Sequence, residues 1–383
     1  MQKYNDVYRH FQEILNNPKY FKKIIDNVNE KYNNQNWKNL SIVQPEQISR
    51  KWNEVFNQTN ISVMATIGDE KSPVPMRATT GVETFTGSIP AFGHGFKFNV
   101  DDLLLAEEAN ITGDAVLQYL AGTYINRAGA IIQGIHNRIN YFVYQAMGQG
   151  IISTTDANNP DGVKYTYSYD IPTQNKQCAK GGATAKWTVT GATATADPIA
   201  DVQRWCEILK DNKGVANPML VMNKTTFKMF VKHPAVISQL GARMTTLSTL
   251  GMENISDANI LSKLREIFDI PPILVVDAKM NVESDGKITS VNSPFPDNIV
   301  SVLPIETPFD LYHCPSVYSH ITKSDIVTST TENGLIYSMK EVATNGLETK
   351  TSFQAVAAPI LRRPDCLIIA DVNFYSSDGV KSY

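Results

Sequence analysis

The sequence predicts an α+β chain organised around one long helix, and three observations carry that prediction. Between Thr112 and Gly148, apolar or aromatic side chains return at Leu117, Leu120, Tyr124, Ala128, Ile131, Ile135, Ile139, Phe142 and Ala146. Those steps of three and four keep one stripe along a helix and fit no strand. Ahead of that run, residues 61–100 alternate like strands and are punctuated throughout by Gly and Pro. After it, from Asp197 to Leu303, helical periods alternate with short apolar runs, the pattern of a mixed α/β body.

The long helix comes first because it sets the frame. Thr112 and Asp114 suit its start and Gly148 and Gly150 its end, and no proline intervenes. At 1.5 Å per residue it would run about 50 Å. Gln118, Arg127, Gln133, Asn137, Arg138 and Asn140 lie off the stripe, so the helix is expected on a surface, outside any core. Gly122, Gly129 and Gly134 each cost about 1 kcal/mol relative to alanine. Their presence implies either close packing by another backbone or points where the helix flexes.

The leading segment, 1–60, places Phe11, Ile14 and Leu15, then Phe21, Ile24, Ile25 and Val28, on two short helices separated by Asn16, Asn17 and Pro18. Residues 1–58 hold nine Lys or Arg against six Asp or Glu, a net +3, which leaves −6 on the remainder of a chain of net −3. A sticky, mildly basic arm with Trp37 and Trp52 suggests docking onto another copy; an ordinary leading subdomain is the alternative. In residues 61–100, Ile61, Val63, Ala65 and Ile67 alternate, Gly68 to Lys71 turn, and 82–86 and 96–100 read as strand. A long excursion with few core residues points to a function or a partner.

Past the long helix, Asn158 to Gly162 form a turn and Val163, Tyr165, Tyr167 and Tyr169 alternate. Helices are expected from Pro198 through Leu209, over Lys224–Lys232 and over Asp257–Phe268. Strands are expected at Met219–Met222, at Ile273–Val276 as a central strand, and at Ile299–Leu303, with a hairpin turn at Ser284–Lys287. Residues 305–351 read as short polar strands and turns, and Phe353 to Val372 closes the chain. The expected divisions are an arm (1–60), an extended loop (61–100), the spine (101–149), a body (150–304), further strands and a loop (305–355), and a closing strand returning to the body (356–383).

Composition excludes several classes. The near-balanced charge opposes a protein that mainly grips nucleic acid backbone. Cys178, Cys206, Cys314 and Cys366 are far apart and read as reduced, mostly buried thiols of a cytoplasmic protein. Met1 to Phe11 has no apolar signal core, and no run of eighteen apolar residues occurs, so the chain is expected to stay in a cytoplasm until lysis. His313, Cys314 and His320 lack the second close pair of a structural zinc site. Lys180 to Thr184 lacks the ending of a phosphate loop, and neither a nucleophile elbow nor a dinucleotide glycine pattern occurs. No cofactor, metal or catalytic residue is expected.

Two stretches resemble a known family. Val74-Pro75-Met76-Arg77-Ala78-Thr79-Thr80-Gly81-Val82-Glu83, then Gly87-Ser88-Ile89-Pro90, Lys97-Phe98 and Asp101 to Leu105, resemble the junction of extended loop and spine helix in tailed-bacteriophage major capsid proteins. Ala357 to Ala370 is similar to the close of the lambda-like members, which have the Hong Kong 97-type capsid fold. The resemblance implies a peripheral domain around the spine and an axial α/β domain. It also implies self-assembly as hexamers and pentamers into an icosahedral head enclosing double-stranded DNA. Scaffold, portal and decoration proteins would be partners, with no membrane, and the protein would be found in the virion after assembly in the host cytoplasm. Lys71, Arg77, Phe92, Lys97, Trp37 and Trp52 become candidate assembly residues, and Gly122, Gly129 and Gly134 candidate flexing points. Some capsid proteins of this fold form lysine to asparagine cross-links. Lys71 with Asn333 or Asn345 offers the residue types without the local signature. The rival readings are an encapsulin-like compartment, an α/β small-molecule enzyme and a secreted adhesin.

Overall fold

The computed structural model describes residues 2–32, 35–57, 82–99, 102, 105, 114–191, 193–243, 256–284, 287–291, 293–321, 326–342 and 348–381. The chain folds as two compact units. The first combines Met1–Trp52, Thr86–Tyr141 and Phe309–Ile360; the second combines Asn53–Phe85, Phe142–Pro308 and Leu361–Tyr383.

The spine is a single helix, Asp114–Gln149, of 36 residues, about 54 Å at the usual rise. It stops where Gly150 turns left-handed at φ +68° and its N–H reaches the Ala146 carbonyl at 2.9 Å, a closure that costs glycine little. The buried stripe runs through Val116, Leu120, Tyr124, Ala128, Ile132, Ile135 and Ile139. It corrects the expected stripe at two places, since Leu117 and Ile131 are only half-buried. Four successive steps of four residues rotate the contact line around the helix, which a fixed reading of the pattern does not follow. Nor does the whole helix lie on a surface. Asn140 is buried, and residues 141–148 are buried on every side.

In the first unit a six-stranded sheet packs beside the spine. Its order is Ser41–Val43, Phe309–His313, Glu348–Leu361, Ile336–Val342, Ile326–Thr331, with Ala91–Asn99 also paired to Glu348–Leu361. Residues 305–351, expected as short polar strands, therefore supply much of this sheet, and their polar side chains are part of its interior: Ser338, Lys340, Thr349 and Thr351 are buried. Ala91–Asn99 likewise pairs over nine residues in register from Glu348↔Asn99 to Val356↔Ala91, so this part of the expected loop is sheet, with Phe98 in the core. The expected strand at Ile61 to Ile67 lies outside the described residues.

The arm forms the two expected helices, Gln2–Asn16 and Pro18–Lys31. Asn17 caps the second by accepting from the Lys19 N–H at 3.1 Å, and Pro18 occupies the first turn, where a missing N–H costs nothing. Its apolar face is not left for another copy. Phe11, Leu15, Phe21, Ile25 and Val28 are buried, with Phe11 5.5 Å from Phe98 and 6.0 Å from Tyr124 between ring centres. Thr349 Oγ1 donates to Gln12 Oε1 at 2.9 Å, and Lys340 Nζ donates to Asn16 Oδ1 at 2.6 Å.

The second unit holds a five-stranded sheet in the order Lys176–Lys180, Ile368–Ser376, Ile299–Pro304, Pro218–Asn223, Ile273–Val276. Ile273–Val276 is thus an edge strand, and its first three residues are half-buried. Its apolar run reflects the cover on its faces and says nothing about its place in the sheet order. Helix Pro198–Lys213 starts at Asp197, which accepts from the Ala200 N–H at 3.1 Å, and ends at left-handed Gly214. Lys224–Val231 and Asp257–Phe268 are helical as expected. A further helix, Pro234–Arg243, was not foreseen, although Val236 and Leu240 bury at a four-residue step after a first-turn proline. One contiguous apolar cluster joins these pieces, with Trp187 and Trp205 stacked at 5.8 Å.

Candidate assembly surfaces

Trp37 leads off the short helix Asn36–Leu40 and is fully buried. Its Nε1 donates to His136 Nδ1 at 3.3 Å, and its backbone N–H donates to Asn140 Oδ1 at 2.9 Å. Burial pulls the imidazole down to about 4, the nearby Glu332 opposing and Lys38 assisting, so His136 is a neutral acceptor. Trp52 is also buried, stacked on Tyr312 at 6.4 Å and lying over Gly87, where a Cβ would meet the indole at 2.6 Å. Both tryptophans thus act inside their own unit, which corrects their assignment as contacts between copies.

The remaining predicted residues divide. Lys71 and Arg77 lie outside the described residues. Phe92 is half-buried opposite Ala355, and Lys97 is exposed, its ammonium 3.4 Å from Glu348. The described ones, Trp37, Trp52, Phe92 and Lys97, are not gathered into one place. Gly129 lies under the Tyr32 ring, where a Cβ would come within 2.7 Å of it, whereas Cβ atoms at Gly122 and Gly134 would meet nothing within 4 Å.

Sequence reasoning missed a clamp on the spine, several turns in from its start. Arg127 grips Asp102 with two parallel bonds, Nη2 to Oδ1 at 2.5 Å and Nη1 to Oδ2 at 2.9 Å, and also donates to the Lys97 carbonyl at 3.1 Å. Asp102 in turn accepts from the Asn99 N–H at 3.2 Å. The fork geometry fixes where the chain leaves strand Ala91–Asn99 relative to the helix. Arg127 and Asp102 read separately as exposed charges because nothing local couples residues 25 apart.

Chemistry-bearing side chains are dispersed. Among the described residues no three of His, Cys, Asp and Glu come together as metal ligands. The Cys314 thiol donates to the Ser49 carbonyl at 3.0 Å, and His320 is exposed. All four cysteines are free and buried, and burial raises the thiols of Cys206 and Cys366 to about 12, far from the thiolate a nucleophile needs. No described helix is long and apolar enough to cross a membrane.

What the surface offers is backbone and isolated apolar side chains. Ser41–Val43 ends its sheet with Ile42 and Val43 about two-fifths exposed, and Ile48 is wholly exposed beyond it. Strands Lys51–Asn57 and Val82–Ser88 form a two-stranded ribbon, as do Met280–Ser284 and Lys287–Val291, where Ile288 is 74% exposed. Two-stranded ribbons are marginal in water by themselves, so these features fit the class of subunits that finish their packing against other chains. The sequence places the chain within that class: residues 25–372 match the family described as Phage major capsid protein E, and the chain belongs to that family. It is a capsid-forming structural protein of the virion.

No curated protein sequence matches it. Similar solved structures include a phage-related protein from Bordetella bronchiseptica RB50, 14% identical, with 92% of this chain and 98% of that one covered and a TM-score of 0.46. The satellite phage P4 procapsid with its size determination protein is 8% identical, covering 92% and 99%, at 0.45. The capsid of cyanophage P-SCSP1u is 12% identical, covering 89% and 88%, at 0.45.

Proposed function

We propose that the chain forms hexamers and pentamers that close into an icosahedral head around double-stranded DNA. The family match over residues 25–372 carries this reading. Each subunit would meet several sisters, and individually modest contacts would add because an attached subunit makes its remaining contacts at high effective concentration. The ribbon of Lys51–Asn57 and Val82–Ser88, with residues 58–81 joining its strands, is the element we assign to bridging, and Lys71 and Arg77 are the basic residues of that joining segment. The arm, being packed on its own unit, is not assigned that task. A scaffold, a portal and decoration proteins are the expected partners, and assembly would take place in the host cytoplasm. The protein's work in this reading is association, without a catalytic step.

Sizing and electron microscopy of the purified chain test the proposal. Shells, rings or tubes are expected, and a 42.5 kDa monomer that never assembles at any concentration would overturn it. Deleting residues 68–72 is expected to leave a folded subunit with impaired shell formation; undiminished shells would remove the loop tip from the bridge.

A further inference from the structure

Residues 35–47 border one edge of the first unit's sheet, and two buried histidines lie beneath them. The helix Asn36–Leu40 rests on the spine through Trp37, whose ring stacks on His136 at 6.0 Å between centres. The chain then follows strand Phe309–His313. Ser41–Val43 pairs with Phe309, Asp310 and Leu311, the Gln44 N–H donates to the Leu311 carbonyl at 3.0 Å, and the Gln47 N–H donates to the His313 carbonyl at 2.8 Å. A three-residue strand at a sheet edge opens for less free energy than the sheet it borders.

The bond from Trp37 Nε1 to His136 Nδ1 fixes where protons can go. An indole N–H only donates, so Nδ1 is bare and the single proton of the neutral ring sits on Nε2. A second proton can enter only at Nδ1, where the Trp37 N–H stands, so charging the ring evicts the indole. His313, 1% exposed, has its Nδ1 buried without a partner. Burial pulls this imidazole down, with the Gln44 backbone, the Glu46 charge and the Gly334 backbone opposing, so the segment itself supplies part of what surrounds the ring.

The facing charges leave burial to decide. Glu332, its Oε1 3.9 Å from His136 Nε2, favours a charged ring, and Lys38 disfavours it. Asp26 and Glu30 of the second arm helix line a cavity with Trp37 and Lys38. On the spine, Ile132, Gln133, Ile139 and Asn140, one turn from His136, carry no charge. Glu46, the carboxylate facing His313, already accepts from the Tyr337 hydroxyl. Since His136 titrates near 4 in place and near 6.5 when free, the released segment binds more protons between those values, and falling pH favours release.

We infer that residues 35–47 are an acid-released strap: protonation of His136, aided by His313, lifts the segment from the spine and from strand Phe309–His313 while the rest of both units stays folded. Release uncovers the edge of Phe309–His313. The inference concerns the subunit alone and does not depend on the capsid reading.

Hydrogen–deuterium exchange of the whole chain, read by mass spectrometry and corrected for the intrinsic effect of pH, tests it. Protection over residues 36–47 should fall at least tenfold per pH unit from about pH 6.5 to about pH 4.5. Pro218–Asn223 and Ile299–Pro304, in the second unit's sheet, and Glu348–Leu361, in the first, should keep theirs. His136→Gln retains an acceptor for Trp37 and should weaken the fall by about tenfold per pH unit. Protection of 36–47 that persists to pH 4.5, or is lost together with that of the two sheets, would overturn the inference, as would a folded His136→Gln variant with the wild-type slope. Should that variant not fold, the wild-type comparison of the four segments decides alone.

Discussion

The two units bury different chemistry. The second is held by a single apolar cluster in which Trp187, Trp205, Leu220, Met222, Phe230 and Val302 are fully buried. The first interleaves its apolar residues with His136, Asn140, Lys340, Thr349 and Thr351, and matches them across sequence separations of one hundred to more than three hundred residues. A core of the first kind tolerates changes that keep its volume; one of the second kind depends on each donor finding its acceptor. Both units bury titratable groups, Asp201 and His233 in the second among them, so the difference to test is that the second unit should respond more strongly to lost volume.

The largest effect is expected in the second unit. Trp205→Ala removes one ring of the Trp187 pair from a site without solvent, and should cost about 3–5 kcal/mol. Urea unfolding followed by tryptophan fluorescence and circular dichroism should show the midpoint falling equally at pH 5 and pH 8. A strongly pH-dependent loss would mean that the two units do not differ as described.

The next effect belongs to His136. Its folded form titrates near 4 against about 6.5 when unfolded, so between those values the unfolded chain binds more protons. Stability from this group is present above pH 6.5 and is lost as pH falls towards 4, by roughly 3 kcal/mol. His136→Gln keeps an acceptor for Trp37 Nε1 and should flatten that part of the stability curve. An unaltered slope would move the titration elsewhere.

Lys340 sharpens the same comparison from the basic side. It is fully buried, its ammonium donates to Asn16 Oδ1, and burial pulls that ammonium down to about 7 from an ordinary 10.5. The unfolded chain holds the extra proton between pH 7 and 10.5, so stability rises with pH across that window and the penalty is complete below 7. Lys340→Met should remove this dependence. It should also stabilise the neutral-pH protein by about 2 kcal/mol, since the lost bond offsets part of a gain of roughly 3–5 kcal/mol. A destabilised variant would show that the link to Asn16 outweighs the buried charge.

How far the fold could be read follows the same division. Where helices cap themselves locally, as at Asp197-Pro198 and Asn17-Pro18, the elements fall where the residues place them. In the second unit, apolar runs such as Met219–Met222 mark buried strands by themselves. In the first unit Lys340, Thr349 and Thr351 read as solvated because their partners, Asn16, Gln12 and Tyr124, lie more than two hundred residues away. The arm misled for the same reason: its apolar face had no visible partner because that partner is built mostly from residues 91–99 and 326–361. Trp37 and Trp52 suggest outward contacts by their polar neighbours, although a large aromatic in such a setting is as often the plug of a core.

The smallest effects are in the spine glycines, and they separate packing from flexing. Gly129 is explained by the Tyr32 ring, so Gly129→Ala must push that ring aside and should give no net gain. Gly122 and Gly134 have open space where a Cβ would stand, and alanine at either should stabilise the subunit by about 0.5–1 kcal/mol through helix propensity. Glycines kept where alanine would be more stable suggest that the helix needs compliance there, and we propose that it bends at these two points as a precursor shell expands. The Gly122→Ala, Gly134→Ala double variant should then form precursor shells normally and expand more slowly, as read by sizing and particle diameter over time. A double variant that is more stable and expands at the wild-type rate would leave both glycines without a mechanical role and place the bending elsewhere in the subunit.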